Sequence, residues 1–62
     1  MDKAQIKKLV EIILNKDTVE MFEIKAENPK AKTQLLVKAI QIVEQMKAQK
    51  LDFEQVWQEN EA

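Results

Sequence analysis

The sequence reads as an all-α protein, a small bundle of three main helices plus a short C-terminal helix, in a single helical domain over residues 1–62. Three observations carry that reading. Apolar residues recur at three- and four-residue intervals over most of the chain, matching the 3.6-residue helical period. The chain has no Gly and a single Pro, so few positions interrupt a helix. Helix-start pairs recur along it: Asp2 with Gln5, Asp17 with Glu20, Asn28 with Pro29, and Asp52 with Gln55.

The first element spans residues 2–14. Ile6, Leu9, Val10, Ile13 and Leu14 form an apolar stripe, which Ile12 widens. Asn15 suits a left-handed C-cap, and Lys16 suits the negative end of the helix dipole.

Residues 17–27 support two readings. As a helix, Val19, Phe22 and Ala26 share one face while Met21 and Ile24 point nearly the opposite way. As a strand, Phe22, Ile24 and Ala26 alternate with Glu23, Lys25 and Glu27. A lone strand leaves its backbone unpaired, so the alternative fold is α+β, with residues 18–26 paired across a dimer. The helix is favoured, because Glu, Met, Lys and Ala are good helix formers. In either case a surface is left for a partner.

Pro29–Lys50 is the longest periodic run and the expected central helix. Proline disfavours helical geometry in the residue before it, and it is welcome at the first helical position. Leu35, Ala39, Ile42 and Met46 form one apolar line; Leu36, Ile40 and Val43 form the next, and Val37 lies further round. A surface this wide contacts more than one neighbour. Residues 51–60 form the last helix, with Asp52 and Gln55 as a capping box and Leu51 and Val56 as a hydrophobic staple. Phe53, Val56 and Trp57 then share a face, and Glu59, Asn60, Glu61 and Ala62 are expected to fray.

Composition narrows the function. A 62-residue domain buries only about 60% of its unfolded surface, and it usually needs disulfides, a metal or oligomerisation for support. There is no Cys and no His, so disulfides and the common zinc ligands are excluded. There is also no Ser, Tyr or Arg, and the only hydroxyls, Thr18 and Thr33, have no imidazole to activate them. An enzyme is therefore not expected, and neither is a cofactor. Glu20, Glu23 and Glu27 share a helical face, but they lack the spacing and the Gly of a calcium loop and read as a solvated face. No apolar run approaches the ~20 residues that span a bilayer, and no secretory leader pattern is present. The expectation is a cytoplasmic protein without membrane contact.

Charge falls in blocks of alternating sign. Lys30, Lys32, Lys38, Lys47 and Lys50 stand against Glu44 in the central segment, while Asp52, Glu54, Glu59 and Glu61 make the C-terminal one acidic. Such blocks favour one packing order or partner orientation over others. Two candidate surfaces follow. Met21, Ile24, Val37, Phe53 and Trp57 are a candidate protein interface, because the helices carry more apolar surface than one small bundle hides, although for Phe53 and Trp57 a place in the core, sealing the bundle, is the favoured reading. Lys30, Lys32, Thr33 and Gln34 crowd a helix N-terminus and are a candidate anion or nucleic-acid contact.

The function expected is a small non-enzymatic helical protein–protein interaction module: a regulator, adaptor or inhibitor. It would form a homodimer and bind another protein, and its size and composition suit a bacterial or phage accessory protein. The competing reading is a dimeric DNA binder resembling a helix-turn-helix protein, reading DNA through Lys30, Lys32, Thr33 and Gln34. The lack of Arg and the acidic pI of 5.4 weigh against it. A third class is a structural subunit of a larger assembly.

Overall fold

A computed structural model describes residues 3–16, 18–20, 22 and 24–61. Among these residues there are three helices and no strand: α1 (Lys3–Lys16), α2 (Pro29–Gln49) and α3 (Phe53–Glu61). The fold is all-α, with one helix fewer than expected.

The missing element is the helix expected over residues 17–27. The described residues of that stretch follow an irregular path, with only Phe22 in a single 3₁₀ position. The paired strand is likewise not formed among them. A helix here would set Ile24 opposite Val19, Phe22 and Ala26, and one face must then stay wet. The irregular path buries Ile24 (1% exposed) and packs Val19 on the core, leaving Phe22 79% exposed. An isolated helix of this length is marginal in water, so packing decides the outcome. The Asp2 and Asp17 caps lie outside the described residues.

Local signals set the ends of α2. Asn28 is extended at φ −156°, and its side-chain oxygen accepts from the Ala31 N–H at 2.8 Å. Pro29 follows at the first helical position. The helix stops one residue before the expected Lys50. That residue takes the left-handed conformation (φ 56°, ψ 43°), and its N–H donates to the Met46 carbonyl. Leu51 N–H reaches the same carbonyl at 3.2 Å. The chain then turns into α3 through the reciprocal capping box. Gln55 N–H donates to Asp52 Oδ1 at 2.9 Å, and Asp52 N–H donates to Gln55 Oε1 at 3.0 Å.

Glu59, Asn60 and Glu61, where fraying is expected, are helical in α3, and Ala62 lies outside the described residues. The helix continues to Glu61, and Asn60 fastens it to α2. Asn60 Nδ2 donates to Gln45 Oε1 at 2.9 Å and to the Val56 carbonyl at 2.8 Å; Lys38 Nζ donates to Asn60 Oδ1 at 3.4 Å. Likewise α1 runs past Asn15 to Lys16, two residues beyond the expected end.

One core joins the three helices. Ile6, Leu9 and Val10 of α1 meet Ala39, Ile42 and Val43 of α2, with Phe53, Val56 and Trp57 of α3 and Ile24 of the connection closing it. Burying each large side chain contributes roughly 1.5–3 kcal/mol. Ala39, wholly buried, lets a neighbouring element come close to α2. The molecule measures 31 × 26 × 15 Å, and the short dimension corresponds to about two helix layers. One side of α2 therefore packs on the other elements, and its far side stays open.

Candidate protein-interaction surface

Of the five residues expected to face a partner, the fold takes three inward. Ile24 is buried at 1% exposure, so it is a core residue and not an interface residue. Phe53 and Trp57 also lie in the core, the favoured of their two readings, at 7% and 9% exposure, and not at an interface. Their rings stack at 5.7 Å between centroids, with 26° between planes. Two lysines of α1 close over them: Lys3 Nζ lies 6.0 Å from the Trp57 ring centroid and Lys7 Nζ 5.9 Å from that of Phe53. Each such contact is worth about 0.5–1 kcal/mol at exposed sites, and together they occupy surface that a partner would need. Met21 lies outside the described residues.

The same lysines converge on one carboxylate. Lys3 Nζ stands 2.8 Å from Glu54 Oε1 and Lys7 Nζ 3.6 Å from Glu54 Oε2. The Lys3 hydrogen bond, with the charges of Lys3 and Lys7 behind it, holds the Glu54 carboxyl below its ordinary value of 4.5. In sequence, Lys3 and Lys7 lie off the apolar stripe of α1. Their partner is some fifty residues away, a separation that local patterns do not span.

Val37 stays outside, 47% exposed, and Ile40 joins it at 42%. Ile40 also lines a groove of about 370 Å³ between α1, the start of the connection and α2. Ile13, Val19, Leu36 and Val43 make its apolar walls, and Glu44 and Lys47 stand on the α2 side. The sequence gives the signal for this groove: Leu36, Ile40 and Val43 form the second apolar line of α2, beyond what the core uses. The interface expected from sequence contains Val37 but not Ile40, which lies on that second apolar line. Leu14 (45% exposed) and Phe22 are the other large exposed apolar residues among the described ones.

Lys30, Thr33 and Gln34 are exposed at the start of α2, and Lys32 is half-buried. Thr33 Oγ1 donates to the Pro29 carbonyl at 3.1 Å, and the Ala31 N–H is taken by Asn28. Successive helical residues are about 100° apart, so Lys30 and Lys32 point some ~160° from each other. The four fan around the helix and do not form one basic face. The connection before them occupies residues 17–28, whereas a helix-turn-helix joins its helices by about three or four residues. The short turn at residues 50–52 leads instead into acidic α3, whose apolar face is already buried.

No helix among the described residues is long and apolar enough to cross a membrane, and no three His, Cys, Asp or Glu among them are grouped to hold a metal ion. Compared with known proteins, the chain matches no family model, no curated protein and no solved structure.

Proposed function

We propose that this chain is a small non-enzymatic helical protein-interaction module, acting as a homodimer in the manner of a regulator, adaptor or inhibitor. The observation that carries the reading is the exposed pair Val37 and Ile40, standing beside the apolar groove on the open side of α2. Contiguous apolar surface of this kind usually marks association. Chain length points the same way. A domain this small usually draws on disulfides, a metal or self-association, and without Cys or His the last is the readiest aid. The DNA-binding reading draws no comparable support from the fanned lysines at the start of α2.

The test is solution mass by light scattering on the wild-type chain and on V37E/I40E, with circular dichroism beside it. Both positions are exposed, so the variant is expected to keep its helix content. The wild type should associate as its concentration rises and the variant should not. A wild type that stays at monomer mass would remove the homodimer from the proposal. Unchanged association in V37E/I40E would move the binding surface off α2.

A further inference from the structure

We infer that the open side of α2 is covered by the same helix of a second copy, antiparallel, about a two-fold axis between Val37 and Ile40. The inference rests on the interaction-module reading and names the first partner of that surface.

The argument starts from spacing. Thr33, Val37, Ile40, Glu44 and Lys47 follow one another at intervals of four, three, four and three residues, and Lys30 lies three before Thr33. This is the a/d spacing by which two helices share a seam. All six residues are exposed. The opposite side of the helix is engaged, with Ala39, Ile42 and Val43 in the core and Lys38 and Gln45 held to α3 through Asn60, while Gln34, Gln41 and Ala48 are exposed beside the seam. The seam is thus the exposed line of α2 that carries its large exposed apolar residues, Val37 and Ile40.

The pattern along the seam selects one register. Its two apolar residues sit at the centre, with polar ones outward on both sides. In an antiparallel pair, Val37 lies opposite the second copy's Ile40, Thr33 opposite its Glu44, and Lys30 opposite its Lys47. A shift of one heptad either way sets Val37 against Lys47 or Ile40 against Lys30, burying apolar surface under a charged amine. Only the central register pairs apolar with apolar.

Charge selects the orientation. A parallel pair would stack Lys30, Glu44 and Lys47 each on its own copy, three like-charge layers. The antiparallel pair places Glu44 beside the second copy's Thr33 and one turn from its Lys30. Two like-charge layers remain against three, Lys30 against Lys47 at either end, and both fall at the solvated ends, where screening is strongest. Leu36 and Val43 flank the seam on one side, so a two-fold axis brings both grooves to the same side of the pair. The occupant of one copy's groove edge is then the other copy.

The chain lacks Cys, so single introduced thiols report geometry directly. A disulfide needs Cα atoms within roughly 4.4–6.8 Å. In the antiparallel pair, Thr33 lies near the second copy's Glu44 but about 16 Å along the axis from its Thr33. T33C and E44C chains are oxidised separately and as an equal mixture, in a glutathione buffer. The expected result is covalent dimer in the mixture, several-fold above either chain alone. In parallel, K30E should tighten self-association several-fold, since it sets Glu opposite the second copy's Lys47. Ready cross-linking of T33C alone, with K30E associating no more tightly than the wild type, would establish parallel pairing and overturn the inference while leaving the homodimer. A dimer that cross-links in none of the three samples would place its interface elsewhere. A wild type that is monomeric throughout would remove this arrangement and the homodimer together.

Discussion

Lys50 adopts φ 56°, a conformation that costs a residue with a Cβ roughly 1–2 kcal/mol and costs glycine almost nothing. Glycine also loses more freedom on folding, which offsets part of the gain. Lys50→Gly is therefore expected to stabilise the fold by about 0.5–1 kcal/mol, read as a higher urea midpoint. Two residues on, Asp52 and Gln55 satisfy each other's backbone N–H groups. Asp52→Ala should cost about 1 kcal/mol in the same measurement. Glu54 answers to pH. Its folded pKa is depressed, so its contribution is fully present above the unfolded value near 4.5 and is lost as pH falls through the lower folded value. The stability difference between wild type and Glu54→Gln should accordingly shrink as pH is lowered from 6 through this range. A difference that grows on acidification would contradict the Lys3–Glu54–Lys7 cluster. High salt should weaken the pair as well, because it is exposed.

At the level of elements, the connection between α1 and α2 is held by Ile24. Deleting buried methyl and methylene groups from an Ile costs roughly 2–5 kcal/mol. Ile24→Ala is expected to fall in that range, close to the cost of Ile42→Ala in the middle of α2, whereas Phe22→Ala should be nearly neutral. Unfolding followed through Trp57, the single tryptophan, separates these outcomes. A neutral Ile24→Ala would mean that the connection is not part of the core. The same segment marks the limit of what the sequence reveals. The starts of α2 and α3 were legible because Asn28–Pro29 and Asp52–Gln55 are local devices that act on their own neighbours. The core lines of α1 and α2 were legible from their period. The segment after Lys16 was not, because helix-forming residues there are overruled by the burial of Ile24, a tertiary effect that no window of sequence contains. For Phe53 and Trp57 an interface stayed open beside the core for a related reason: what covers them, Lys3 and Lys7, comes from the far end of the chain.

For the whole molecule, size and shape frame the functional argument. At roughly 0.05–0.15 kcal/mol per residue, a chain of 62 residues holds only a few kcal/mol of stability. Its thin dimension leaves α2 with one side free, and that side carries Val37, Ile40 and a groove edge. Val37 was legible as surplus apolar surface, since it lies off the lines that a core would use; Ile40 was not, because a second apolar line looks the same in sequence whether or not a neighbour covers it. Pairing through this side would remove apolar surface from water and add stability that depends on concentration. The most direct measurement is a dilution series followed by methyl-resolved NMR. The account predicts that the Val37 and Ile40 methyl resonances move with concentration, while those of Val10, Leu9 and Ile42 in the core stay fixed. Val37 and Ile40 resonances that hold still across the whole series, with the protein at its monomer mass of 7.3 kDa, would contradict it.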